Sequence, residues 1–144
     1  MVIYTIGFRG KTASAFFEAL KAKKIERLPD VRLNNTSQLA SFTKKPDLEY
    51  FLTEVLGAEY HHVTILSPTQ ELLDKFKEDK DWEYYETEYG RLLDERRLSE
   101  NLDLKLFDRD IVLLCSEETA DRCHRRLAAE YISRLLPDVN IEHL

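Results

Sequence analysis

Asp110–Leu135 reads DIVLLCSEETADRCHRRLAAEYISRL, and this stretch decides the fold class. Asp110–Cys115 is a short, nearly continuous apolar run, the pattern of a strand covered on both faces in a parallel sheet. After it, Ala120, Cys123, Leu127, Ala128, Tyr131 and Leu135 recur at helical spacing, and Ser116 stands where an N-cap is expected. A buried strand running straight into an amphipathic helix is a βα unit, and the remaining sequence repeats that alternation.

Upstream, Val2–Ile6 (VIYTI) ends at Gly7 and reads as a buried strand. Phe16, Phe17, Leu20 and Ile25 follow as a helix, with Thr12 or Ser14 as its N-cap. Arg27–Leu33 and Tyr60–Leu66 are two further strand candidates. Between them Asn34–Lys45 is polar and aperiodic, the pattern of a loop. Pro46 then opens a helix that carries Leu48, Phe51, Leu52, Val55 and Leu56 and stops at Gly57. Ser67-Pro68 is expected to open the next helix, and Trp82, Tyr85 and Tyr89 lie on one face of another. Val139–Ile141 reads as a last edge strand. The expected architecture is α/β: a single three-layer domain over residues 1–144, with a mainly parallel sheet of about five strands flanked by helices.

Composition narrows the function classes. The 144 residues are 43% hydrophobic with four Gly and four Pro, which is globular rather than disordered. No apolar run approaches the ~20 residues of a membrane span, so no membrane association is expected. MVIYTIGFRGK has no basic-then-apolar leader, and two cysteines without disulfide-type spacing fit a reducing, cytoplasmic setting. The net charge of −6 hides an asymmetry: residues 1–46 carry +6, residues 47–110 carry −10 and residues 111–144 carry −2. The basic first third is suited to an anionic small molecule or a nucleic acid. Lys21, Lys23 and Lys24 also read as the solvated end of the first helix.

In an open parallel sheet, ligands bind beyond the carboxyl ends of the strands. The residues leaving those ends are Gly7-Phe8-Arg9-Gly10, Asp30-Val31-Arg32 and Cys115-Ser116-Glu117. There is no GxGxxG or P-loop pattern. Asp30 and Arg32, two apart, read equally as an ion pair bracing a loop or as an acid beside an anion-binding guanidinium. Glu117 and His124 are expected on one helix side two turns apart, and Asp121 is placed to pair with Arg125. A strand-end Cys115 facing a helix N-terminus is a candidate nucleophile, opposed by the acids that follow it. Cys123 reads as a buried thiol. Cys123 and His124, adjacent on a helix, point about 100° apart, so no metal shared by Cys115, Cys123 and His124 is expected. No cofactor is expected either. The aromatic stripe of Trp82 and Tyr85 reads as core or as a stacking wall for a ring.

These same residues carry a resemblance. Thr5-Ile6-Gly7, Asp30-Val31-Arg32, Tyr60, Trp82-x2-Tyr85 and Leu114-Cys115-x-Glu117-x5-Cys123-His124-Arg125 resemble the domain-of-unknown-function 488 family. The resemblance implies an α/β domain with a polar site and brings no established reaction. The chain departs from that pattern at Phe8, where a His is expected, and at Leu66-Ser67-Pro68, where a Leu-Gly turn is expected. A weaker likeness is to rhodanese-like domains, in which a strand-end cysteine opens an anion-holding loop closed by an arginine. Here that loop, from Cys115 to Arg122, carries Glu117 and Glu118, which oppose an anion.

The leading expectation is a crevice for a phosphorylated or nucleotide-like ligand, with hydrolase-type chemistry. Glu117 or Asp30 is the expected general base. Arg9, Arg32, His124, Arg125, Cys115 and Tyr85 are the expected ligand-binding residues. The alternatives are a non-catalytic nucleic-acid or protein binding module using residues 1–46 and the Asn34–Lys45 loop, and a Cys115-dependent rhodanese-like transferase. Oligomeric state is open.

Overall fold

A computed structural model describes residues 1–36, 41–117 and 120–144. Five parallel strands form one sheet: β1 (Val2–Gly7), β2 (Arg27–Asp30), β3 (Glu59–His62), β4 (Ile111–Cys115) and β5 (Asn140–His143), in the order β3-β2-β4-β1-β5. The apolar run that decided the fold class is the central strand, with Gly7 level with Cys115 on one side and Asp30 level with Leu114 on the other. The helices are α1 (Ala13–Ala22), α2 (Lys45–Phe51, continued by a π turn to Leu56), α3 (Gln70–Asp79), α4 (Trp82–Glu95), α5 (Leu98–Asn101) and α6 (His124–Leu135). No helix among the described residues is long and apolar enough to cross a membrane.

Strand alternation divides the core into two clusters. On one side Ile111, Leu113 and Cys115 pack with Tyr85, Tyr89, Leu127 and Ile132 from α4 and α6. On the other, Val112 and Leu114 pack with Phe16, Leu20, Leu48 and Leu52 from α1 and α2. Cys115 therefore faces α4 and α6 because it is an odd step along β4.

Local chemistry sets the element ends. Thr12 caps α1, its hydroxyl accepting from the Ala15 amide at 3.1 Å. Pro46 lies in the first turn of α2, and Gly57 ends the helix at a φ of 65°, a left-handed conformation that glycine adopts without strain.

Several elements are shorter than the pattern predicts. The second strand ends at Asp30, whose carboxylate accepts the Arg32 amide at 3.1 Å and turns the chain. The third ends at His62, level with Asp30, and continues as a 3₁₀ turn over Thr64–Leu66. Ser67 lies before α3; its hydroxyl donates to the Thr64 carbonyl, and Thr69 is the cap. The expected 34–45 loop is in part a 3₁₀ turn, Ser41–Thr43, and the start of α2, while residues 37–40 lie outside the described residues.

The largest difference follows β4. Ser116 does not cap α6. The helix starts only at His124, and Cys123 before it is extended, with φ −139° and ψ 140°. The chain is pinned after Cys115 by long-range contacts: the Arg9 amide donates to the Ser116 carbonyl at 3.0 Å, and Arg125 Nη1 donates to the Glu117 carbonyl at 2.5 Å. Glu117 and His124 are thus not on one helix. The expected Asp121–Arg125 pair is replaced by Arg126, which donates to the Asp121 carbonyl at 3.2 Å and pairs with Glu130 at 3.0 Å.

Candidate functional site

Beyond the carboxyl ends of β1, β2 and β4 lies a crevice of about 220 Å³. Phe8 and Arg9 reach it from the end of β1, Arg32 and Leu33 from β2, and Cys115, Ser116 and Glu117 from β4. Arg122, Cys123 and His124 enter from the connection into α6, and Leu73, Phe76, Lys77, Trp82 and Tyr85 close the side toward α3 and α4. Trp82 and Tyr85 are stacked, with centroids 5.2 Å apart and planes 16° off parallel; Tyr85 is buried in the core and also lines the crevice. A wider concavity of about 500 Å³ runs along β3 past Glu49 and His61, with no thiol or guanidinium among the described residues that line it.

The crevice floor is a cluster of Cys115, Cys123 and His124. All three side chains are buried, and their donor atoms lie within 4.8 Å of one another. Cys115 Sγ is 3.5 Å from His124 Nδ1. His124 Nε2 lies 2.8 Å from the Val31 carbonyl, which can only accept, so Nε2 carries the proton and Nδ1 is turned toward the sulfur. The hydrogen bond from Cys123 holds the Cys115 thiol well below its ordinary pKa, against the effect of burial and helped by His124 and the Ser116 amide. Burial, then the neighbouring Cys115 sulfur, pushes the Cys123 thiol well up. Burial opposes the charging of His124, but the Cys115 sulfur outweighs it and raises the imidazole. The convergence was not expected from sequence. Cys123 is extended rather than helical, so the helical spacing on which that expectation rested does not hold for Cys123 and His124.

The arginines divide by partner. Arg9 pairs with Glu117 at 3.0 Å on the exposed rim. Arg32 lines the crevice and grips Asp30 with two parallel bonds, Nε to Oδ1 at 2.9 Å and Nη2 to Oδ2 at 2.8 Å, while Nη2 also donates to the Thr43 carbonyl at 2.7 Å. Tyr60 donates to Asp30 Oδ2 at 2.6 Å. Asp30 is thus fully buried, satisfied on both oxygens and not part of the crevice wall. Of the two readings of the Asp30–Arg32 pair, the geometry is that of a brace. Among the described residues Arg122 has no ion-pair partner, and it was not among the expected site residues.

Arg125 does not reach the crevice either. It is fully buried, donating to Thr5 Oγ1 at 3.3 Å and to the Glu117 carbonyl. Gly7 completes this arrangement: a Cβ there would lie 1.5 Å from the Glu117 carbonyl oxygen. The loop after Cys115 is seated directly on β1, and only glycine admits it. Of the expected residues, then, Glu117, Arg9, Arg32, His124, Cys115 and Tyr85 line one crevice, and Asp30 and Arg125 stand behind it as supports.

The model of the family described as "Domain of unknown function DUF488" matches residues 12–132. No curated protein and no solved structure matches the chain.

Proposed function

The chain belongs to the DUF488 family, whose description assigns no reaction, and from its crevice we propose that it binds a small phosphorylated ligand that carries a ring. One observation carries the reading. In a chain of net charge −6, the described residues of the crevice wall bear four cationic side chains, Arg9, Arg32, Lys77 and Arg122, against one carboxylate, Glu117. Counting Asp30 behind Arg32 still leaves a surplus of two positive charges. Guanidiniums bind phosphate by paired hydrogen bonds, and Phe76, Trp82 and Tyr85 give the crevice an aromatic side against which a ring would pack. The volume of about 220 Å³ is below the about 300–1,000 Å³ usual for drug-sized ligands, which favours a single phosphorylated ring over a dinucleotide. Glu117, the one carboxylate among the described wall residues, is the group that would take a proton in hydrolysis of a bound ester.

The lysines at the end of α1 do not add to this surface. α1 returns from the carboxyl to the amino end of the sheet, and Lys23 pairs there with Glu142 at 2.8 Å.

Calorimetry and thermal shift with adenosine monophosphate, ribose 5-phosphate and inorganic phosphate test the reading. A phosphorylated ring compound stabilises the protein, and Arg122→Ala weakens its binding about tenfold, or ~1.4 kcal/mol. Unchanged affinity in Arg122→Ala defeats the proposal. So does binding confined to a short oligothymidine and erased by salt, which points instead to a nucleic-acid surface.

A further inference from the structure

We propose that Cys115, Cys123 and His124 form a site for a soft divalent metal, zinc by its ligand chemistry, with a fourth coordination position opening into the crevice. The inference goes beyond phosphate binding and stands without it.

The donor set comes first. Two sulfurs and one imidazole nitrogen are zinc-type ligands, and three protein ligands with one open position is the arrangement of reactive rather than purely structural zinc sites. The spacing fits as well. Zn–S and Zn–N bonds of about 2.3 and 2.0–2.1 Å at a tetrahedral angle separate sulfur and nitrogen by about 3.5 Å. Cys115 Sγ and His124 Nδ1 are 3.5 Å apart, and all three donor atoms fall within 4.8 Å.

The surroundings of the ligands point the same way. A metal-binding histidine usually donates its other ring N–H to a carbonyl or carboxylate, which fixes its tautomer and orientation. His124 Nε2 makes that bond to Val31 at 2.8 Å and leaves Nδ1 toward the sulfur. Burial of all three ligands would be costly for an isolated cation, but two thiolates cancel the charge of a divalent ion, so the filled site is neutral. The nearby guanidiniums of Arg9, Arg32 and Arg122 then favour an anionic oxygen in the fourth position.

A nucleophile beside a histidine uses Cys115 and His124 and leaves Cys123 as a hydrogen-bond donor to the sulfur, whereas the donor atoms of all three side chains lie at the mutual spacing of metal ligands. The metal accounts for all three.

The test uses the full reduced chain, stripped with a chelator and then titrated with Zn²⁺ or Co²⁺. One metal binds per chain by elemental analysis. The Co²⁺ form shows the visible bands of tetrahedral coordination and a near-ultraviolet thiolate-to-metal band. Zinc protects both cysteines from iodoacetamide until chelator is added, a readout on the unaltered chain that needs no variant to fold. Cys123→Ser and His124→Gln, checked for folding by circular dichroism, each weaken metal binding more than tenfold and alter the Co²⁺ spectrum. Failure of the stripped chain to take up metal overturns the proposal, as does alkylation of Cys115 at a rate that zinc does not change. Metal uptake by the parent chain without binding of any phosphorylated compound defeats only the earlier reading. Phosphate binding without metal uptake defeats only this one.

Discussion

The two ends of the sheet use the same residue types to different effect. At the amino end, Arg27 pairs with Glu59 and Asp108 at 3.0 Å, and Arg109 pairs with Glu26 at 2.8 Å, with every carboxylate more than half exposed. At the carboxyl end, Asp30 and Arg32 are 0% and 5% exposed, and Arg125 is fully buried. Water and salt screen the first set, so its pairs decorate the strand starts. The second set is desolvated, and each member must find its partners inside the protein. Arg27 and Arg109 at the amino end pair with exposed carboxylates, whereas Arg32 and Arg125 at the carboxyl end are part of the frame that shapes the crevice, with Arg9 on its exposed rim.

Three substitutions probe that contrast. Asp30→Ala leaves Arg32 charged, buried and without its bidentate partner, and is expected to cost about 3–5 kcal/mol, read as a lowered midpoint in urea unfolding. A loss below about 1 kcal/mol would mean that Arg32 swings out to solvent, and the buried frame would not be one. Gly7→Ala drives a Cβ into the Glu117 carbonyl and is expected to cost about 1–3 kcal/mol. Because backbone rather than a flexible side chain must give way, it also displaces the loop after Cys115, so the reactivity of Cys115 toward a thiol reagent changes with it. A stability loss with unchanged thiol reactivity would separate the frame from the site. At the other end, Arg109→Gln removes an exposed pair and leaves the unfolding midpoint where it was, in low or high salt. A salt-dependent drop would erase the distinction between the two ends.

The alternation of strand and helix was legible because it rests on short-range pattern: VIYTI, the apolar run to Cys115 and the stripe of α6 each announce themselves within a few residues. The caps at Thr12 and Gly57 were legible for the same reason. What could not be read were ends fixed by distant partners. The start of α6 depends on Arg9 and Gly7, more than a hundred residues upstream, which pin Ser116 and Glu117 and leave Cys123 extended. Helical spacing continued across that stretch and gave no sign of the interruption. Six of the eight expected site residues line the crevice because strand ends reveal themselves by where apolar runs stop. Asp30 and Arg125 were misplaced because sequence gives the type of a charged residue but not its depth. Cys123 was undervalued because its meaning depends on a conformation that only the long-range contacts impose.

The position of β4 has a consequence for how the molecule comes together. The strand lies between β1 and β2, yet its residues, 111–115, follow both of theirs by about eighty residues or more. Until it inserts, β1 and β2 have no neighbour to hold them side by side, and their inner edges stay open to any other strand. Insertion of β4 closes both gaps and brings the carboxyl ends of β1, β2 and β4 together. Such a late, long-range closure makes for slow folding and a window of vulnerability to mispairing. The same insertion couples the site to the whole, so that a chain able to bind at this crevice has its sheet already complete.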